Sequence, residues 1–193
     1  MEGADAASLF RSRGTAGKNV TEEFTAKLIS LLSQHEGRKP FMYADSAGYV
    51  TVGVGHLLAK PENALGLGFI DENELVASDS QVTNAWNYVK ASKSYYRGLT
   101  LPSDKIDNLL MEDVSRFYPV LIQTFPAFDS YPEPAQLALY DMVFNLGSFV
   151  KFPRFRAAVQ AQNWEQAAAE CHREGISDSR NNDTRQQLSE CVS

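Results

Sequence analysis

The chain has 193 residues, of which 44% are hydrophobic and 22% charged, so it can bury a substantial core in one domain or in two closely packed lobes. Its net charge of −6 disfavours a general attraction to nucleic acid or anionic membranes. No apolar run is long enough for a signal peptide or a membrane span. These properties predict a soluble globular protein.

The first twenty residues are mostly small and polar, which predicts a flexible leader or linker over residues 1–20. Such a leader is compatible with an upstream delivery domain. The predicted domain therefore covers residues 21–193.

A helix is predicted over residues 21–36. Thr21 is a good N-cap, acidic residues follow it, and apolar residues recur at helical spacing until Gly37. Glu36 is therefore expected at the negative, carboxyl end of this helix, partly buried.

A small β-hairpin with a third strand is predicted from Phe41 to Leu57, where the pattern changes to period two around a turn at residues 45–48. Alternation places Val50 and its i+2 neighbours on a packed face and Thr51 with the nearby glycines on an open face. Glycines inside a strand indicate that something approaches the backbone closely, and a sugar ring would suit.

Residues 58–101 have a weaker pattern, with a break at residues 66–68 and a helix over 79–92. The rest of the chain is mostly helical. Helices are predicted over residues 103–125, 134–146, 153–161, 164–173 and 183–191.

The predicted fold class is α+β. A small hairpin lobe over about 38–60 and a larger, mainly helical lobe over about 101–193, which includes helix 21–36, would leave a ligand-binding cleft between them.

Glu36 and Asp45 are a candidate pair of catalytic carboxylates. Alone, each is most often an ordinary solvated acid, but glycosidic hydrolysis requires such a pair. The negative end of the helix and partial burial both disfavour the Glu36 anion, so Glu36 is the expected acid. Asp45, on a wetter turn, is expected to stay ionised.

Several segments resemble the phage-type lysozymes, or endolysin muramidases. The catalytic segment of that family is matched by Glu36-Gly37, Tyr43-Ala44-Asp45, Gly48 and the run from Thr51 to Leu57, with nine residues from Glu to Asp and six from Asp to Thr. The resemblance continues at Asp113-Val114, at residues 141–147 and 163–168, and at Arg185.

The resemblance implies a lysozyme-like fold and inverting hydrolysis of the β-1,4 bond between N-acetylmuramic acid and N-acetylglucosamine. It makes Glu36 the general acid, with Asp45 and Thr51 placing the attacking water. Inversion requires room for that water between the carboxylates. Asp45 as a covalent nucleophile is the lesser alternative.

The same resemblance assigns further residues around the catalytic ones. It makes His56 and Asp113 a structural pair and gives Arg185 the role of pairing with Glu36. The expected substrate-binding residues are Gly55, Leu57, Phe144 and Asn145. For Phe144, packing in the core is an equal alternative.

The sequence also departs from the family. Residues 58–101 are longer than the family core, and Phe155 and Glu170 stand where small or amide side chains often contact substrate. A glycan-binding module with weak or no catalysis, and an enzyme for another amino-sugar polymer, stay as alternatives, because a fold alone does not establish an activity.

No metal or other cofactor is expected, because the histidines and cysteines form no ligand motif. Cys171 and Cys191 would either pair as a disulfide in the periplasm or remain two buried thiols.

We expect a monomer that binds peptidoglycan glycan strands. A holin, a phage tail or a secretion apparatus would deliver it to the periplasmic side of the wall. An antibacterial effector would have an immunity protein as a further partner.

Overall fold

The computed structural model describes residues 21–192, so the leader predicted over residues 1–20 lies outside the described residues. The described chain forms two compact units. Residues 32–113 make the first, and residues 21–31 and 114–192 make the second. The hairpin lobe predicted over residues 38–60 is part of the first unit, together with the whole of the 58–101 segment.

Helix α1 begins the described chain and spans Glu22–Glu36. The Thr21 hydroxyl oxygen accepts a hydrogen bond from the backbone N–H of Phe24 at 3.1 Å, so the predicted N-cap is present. Phe24, Leu28 and Leu32 are buried at helical spacing.

The first unit contains a four-stranded antiparallel sheet in the order β3-β2-β1-β4. Its strands are β1 (Lys39–Ala44), β2 (Val50–Gly53), β3 (His56–Leu57) and β4 (Tyr95–Tyr96). The predicted third strand is confirmed as β3, whereas β4 comes from the segment that had no clear pattern. A short 3-10 helix (Pro61–Asn63) and α2 (Asp79–Ser92) precede β4, and α3 (Ser103–Ser115) follows it.

The second unit is helical. After α3 it comprises α4 (Tyr118–Thr124), a 3-10 turn (Phe128–Ser130), α5 (Glu133–Leu146), α6 (Pro153–Gln160), α7 (Trp164–Glu170) and α8 (Asp178–Ser189). Its core is rich in aromatic rings: Phe128 and Tyr140 meet edge to face at 5.5 Å, and Phe149 stacks on Phe155 at 6.0 Å. Phe155 is thus a core residue.

Three predicted helices have the wrong bounds. The helix predicted over residues 103–125 is two helices, because Pro119 has no N–H to donate to the preceding turn. The helix predicted over 164–173 ends at Glu170, since Arg173 is drawn into a buried ion cluster. The last helix begins at Asp178 rather than 183, with Ser177 as its N-cap.

Among the described residues, no helix combines the length and apolar character needed to cross a membrane.

Candidate active site

Glu36 is the last residue of α1, and Gly37 follows it with φ of +79°, the left-handed conformation in which glycine commonly ends a helix. Its side chain is at the negative end of the helix dipole. The residue is exposed, so the predicted partial burial is wrong. Although Glu36 continues the row of buried Leu28 and Leu32, the helix ends there and no further turn covers the carboxylate.

Arg38 fixes the chain immediately after Glu36. Its guanidinium donates hydrogen bonds to the carbonyl and the hydroxyl of Ser103 at 2.9 and 2.8 Å. The same group forms an ion pair with Asp107 at 2.7 Å. The start of α3 therefore anchors the segment that leads from the candidate acid into the sheet.

Asp45 begins the turn between β1 and β2. Its Oδ1 accepts hydrogen bonds from the backbone N–H groups of Ala47 at 2.9 Å and Tyr49 at 2.8 Å. The backbone of Asp45 is also bonded to Tyr49 and Gly48. One carboxylate oxygen thus holds the turn, a usual role of Asp, while Oδ2 accepts no hydrogen bond from the described residues.

Thr51 lies in the middle of β2 and is only 3% exposed. The open face predicted for Thr51 is therefore wrong: every residue of β2 is buried. The Thr51 hydroxyl donates its proton to the carbonyl of Tyr49 at 3.1 Å. Its oxygen keeps lone pairs that can accept a hydrogen bond from a water.

Tyr43 joins this group, although the sequence indicated it only as part of the family motif. Its Cα is in register with that of Thr51 across β1 and β2. Burial raises the pKa of the Tyr43 phenol, and the negative charges of Asp45 and Glu36 raise it further. Tyr43 is therefore a protonated hydroxyl within electrostatic range of both candidate carboxylates.

The two glycines of the hairpin have different surroundings. A Cβ on Gly53 would lie 3.1 Å from Cγ2 of Ile106, so the group that approaches this backbone is a side chain of α3 and not a ligand. Gly55 is exposed, with φ of +78° and open space where its Cβ would be. Leu57, in register with Thr51, is 50% exposed.

His56 lies on β3 and its Nδ1 is 2.8 Å from Oδ2 of Asp113 on α3. The side chains of His56 and Asp113 are 15% and 14% exposed. The pair that the resemblance implies is thus present and connects the sheet to α3 within the first unit. Its structural role stays a prediction.

The other predicted site residues belong to the second unit. Phe144 is half-buried on α5, with its ring edge against Phe117 at 5.8 Å, and Asn145 beside it is exposed. Arg185 is exposed on α8 and donates a hydrogen bond to Asn182. Their roles in substrate binding and in pairing with Glu36 stay predictions.

Histidine, cysteine and carboxylate side chains are the groups that could hold a metal ion. Within residues 21–192, no three His, Cys, Asp or Glu side chains are grouped so that they could hold a metal ion. Cys171 and Cys191 are both buried, free thiols.

Comparisons with known proteins agree on one family. The phage lysozyme family model matches residues 33–180. A probable T4-type lysozyme of Dictyostelium discoideum is 25% identical over 150 residues, which is 75% of this chain and 81% of the relative.

The fold resembles that of a P22 lysozyme mutant, with a TM-score of 0.55 and 21% identity over 87% of this chain and 97% of the other. The fold is thus α+β and lysozyme-like, as predicted. The chain belongs to the phage lysozyme family and is a glycoside hydrolase, a muramidase-type lysozyme that degrades peptidoglycan.

Proposed function

We propose that this enzyme hydrolyses the β-1,4 bond between N-acetylmuramic acid and N-acetylglucosamine with inversion at the anomeric carbon. The hydrogen bonding of the Asp45 carboxylate supports this proposal most directly. Its Oδ1 is fixed by two backbone N–H groups, while Oδ2 keeps its lone pairs for another partner. A carboxylate held in this way can orient and deprotonate a water without leaving its turn.

Each catalytic group has one task in this mechanism. Glu36 donates its proton to the glycosidic oxygen as the bond to the anomeric carbon breaks. Asp45 accepts a proton from the water that attacks the opposite face of the sugar. Thr51 accepts the second hydrogen bond of that water, because its own proton is donated to Tyr49.

Glycan binding is proposed to involve Gly55 and Leu57, with Phe144 and Asn145 in the same role on the second unit. The exposure of Leu57 supports an apolar contact with a sugar ring. For Phe144, its contact with Phe117 leaves packing as an equal alternative.

Digestion of purified peptidoglycan, followed by mass spectrometry of the soluble fragments, tests the bond and the acid together. Wild type should release muropeptides with reducing-end N-acetylmuramic acid. Glu36→Gln should lose most activity, by roughly 10²- to 10⁴-fold, the usual contribution of general acid catalysis. The matched control is Glu72→Gln, which neutralises an exposed acid of the same unit.

Wild-type rates for a folded Glu36→Gln would show that another residue is the acid. Fragments with reducing-end N-acetylglucosamine would contradict the bond assignment. Binding of peptidoglycan without release of any fragment by wild type would favour the alternative of a glycan-binding module.

The stereochemistry is tested by proton NMR of the first product formed. Inversion releases the α-anomer, whereas a covalent Asp45 intermediate would release the β-anomer. A β-anomeric product would therefore contradict direct attack by water and would support Asp45 as a covalent nucleophile.

The wall-facing side of the bacterial membrane is the proposed site of action, since the substrate is there. Release through a holin, a phage tail and an antibacterial secretion apparatus are the alternative routes. If an antibacterial secretion apparatus delivers the enzyme, the proposed partner is an immunity protein. Co-expression of that protein should protect cells from the enzyme in their periplasm.

A further inference from the structure

The sheet of the first unit has a concentration of cations over aromatic rings. Four such contacts occur among the described residues, and all of them lie within residues 32–113.

Arg97 is the centre of the largest group. Its guanidinium lies 5.0 Å from the ring centroid of Phe41 and 4.9 Å from that of Tyr95. The two rings are tilted against each other at 5.8 Å. Tyr95 is 51% exposed and Arg97 is exposed, so the group presents both an aromatic edge and a set of N–H donors to solvent.

Arg97 and Lys39, two of the three cations in these contacts, have no acidic partner in the part of the chain that the structure describes. Arg97 lies over the rings of Phe41 and Tyr95, and Lys39 lies 4.0 Å from the ring centroid of Tyr43. A guanidinium stacked on rings keeps its fork of donors free for a carboxylate, which it can bind with two parallel hydrogen bonds.

The exposed group around Tyr95 belongs to the same row of the sheet as the candidate catalytic residue Thr51. Leu57, Thr51, Tyr43 and Tyr95 are in register across the four strands. Residues in register share one face of a sheet. Tyr95 therefore lies about 10 Å from Thr51, two strand spacings away, and extends the row on its β4 side.

The opposite side of β4 fixes the position of Tyr95. Tyr96 pairs with Met42 and meets Tyr88 edge to face at 5.7 Å. A Cβ on Gly98 would lie 2.9 Å from the Tyr96 ring, so the glycine lets the ring pack on the backbone. The exposed group is thus presented by a packed strand.

We propose that Phe41, Tyr95 and Arg97, with Lys39, form a second binding surface for the carboxylate-bearing peptidoglycan strand, beside the residues that cleave it. The aromatic edge contacts a sugar ring, and Arg97 and Lys39 bind carboxylates of the lactyl-linked stem peptides. This inference rests on the proposed function, because it takes peptidoglycan as the polymer that is bound.

Sedimentation with insoluble peptidoglycan sacculi tests the surface without cleavage if every variant also carries Glu36→Gln. Arg97→Gln should weaken binding roughly fivefold, the effect of losing one well-placed contact. Tyr95→Leu should weaken it by a similar factor. The charge-matched control, Lys151→Gln, removes an exposed lysine of the second unit and should bind as the parent does.

A second arm uses sacculi whose carboxylates have been converted to amides. There Arg97→Gln should lose its effect, whereas Tyr95→Leu should keep it. Circular dichroism establishes that each variant is folded.

Equal binding by folded Arg97→Gln and Lys151→Gln variants would overturn the surface, even where wild type releases muropeptides and the proposed function stands. An Arg97→Gln defect that persists on amidated sacculi would overturn the carboxylate assignment. A wild-type protein that neither binds nor cleaves sacculi would overturn both proposals.

Discussion

Asp45 and Asp71 hold two turns of the first unit with the same set of hydrogen bonds. In each, Oδ1 accepts from the backbone N–H groups two and four residues later, at 2.8–3.0 Å. The aspartate backbone N–H donates to the carbonyl of the fifth residue in both turns. Asp71 therefore provides a structural duplicate of Asp45 that has no proposed catalytic role.

Asp45→Asn should abolish most of the lytic activity and leave the free energy of unfolding within about 1 kcal/mol of wild type, because an amide oxygen can still accept both turn hydrogen bonds. Asp71→Asn should change neither quantity. Turbidity loss of peptidoglycan suspensions and urea denaturation measure the two. Equal activity of the two variants would remove Asp45 from the mechanism.

The two turns differ at one position of the backbone. Gly48 has φ of +80°, and the equivalent residue of the second turn is Glu74, with φ of +61°. A side chain in this conformation costs about 1–2 kcal/mol. Glu74→Gly should relieve this strain, but glycine also gives the unfolded chain more conformational entropy, which opposes the gain. The net effect should be a free energy of unfolding that is higher by up to about 1 kcal/mol.

Urea denaturation of Glu74→Gly beside Gly48→Ala gives the comparison. The second variant should lose stability, since it introduces the strain that the first removes. A Glu74→Gly protein less stable than wild type would show that the glutamate side chain contributes more than its strained backbone costs.

The sequence indicated Glu36, Asp45 and Thr51 because their spacing is local. It could not indicate Tyr43 as a neighbour of Thr51, since that depends on the register of β1 against β2. The sequence also could not indicate that Thr51 is buried. Alternation distinguishes two faces of a strand but does not reveal that both are covered.

At the scale of elements, local signals predicted α1 and α2 well. Thr21 is an N-cap in the structure as in the prediction, and α2 has the predicted bounds, 79–92. Strand β4 was missed because a two-residue strand has no periodicity; it is defined by its partners Met42 and Tyr43. The start of α8 was missed because its first turns are polar, and only the cap at Ser177 indicates it.

The Gly53 position tests how β2 packs on α3. Gly53 and Gly55 have similar positive φ values, +67° and +78°, but only Gly53 faces a side chain, that of Ile106. Alanine at either position should cost about 1–2 kcal/mol for the backbone. Gly53→Ala should lose a further 1–3 kcal/mol or so from overpacking.

Thermal and urea unfolding of the two alanine variants measure this difference. Equal destabilisation would show that Ile106 moves aside freely. The interpretation of Gly53 as a packing glycine rather than a ligand-contacting one would then lose its support.

At the scale of the whole molecule, the sequence left open whether Cys171 and Cys191 form a disulfide or remain two buried thiols. Burial raises the pKa of both thiols, which keeps them protonated and poorly reactive near neutral pH. A thiol reagent should therefore label neither Cys171 nor Cys191 in the native protein at pH 7, and both after unfolding without reductant. No labelling after unfolding would indicate a disulfide instead.

The interior of the second unit depends on a charge cluster that no local pattern revealed. Asp141 on α5 is fully buried, with Arg173 at 2.8 Å on one carboxylate oxygen and Arg180 at 2.8 Å on the other. Thr184 accepts a hydrogen bond from Arg173 at 2.7 Å. Burial lowers the pKa of Arg173, and the charge of Asp141 opposes this effect.

Asp141→Asn should lower the free energy of unfolding by about 3–5 kcal/mol, because it removes the negative charge that both buried guanidinium groups contact. Glu174→Gln, which neutralises an exposed acid of the same unit, should change it by less than about 0.5 kcal/mol. Urea denaturation measures both. A stable Asp141→Asn protein would mean that solvent reaches the arginines, and the cluster would then position the chain between α7 and α8 without stabilising it.

Replacing Arg173 by Met in the Asp141→Asn background should recover part of the lost stability, since it removes the repulsion between the two guanidinium groups and keeps the volume filled.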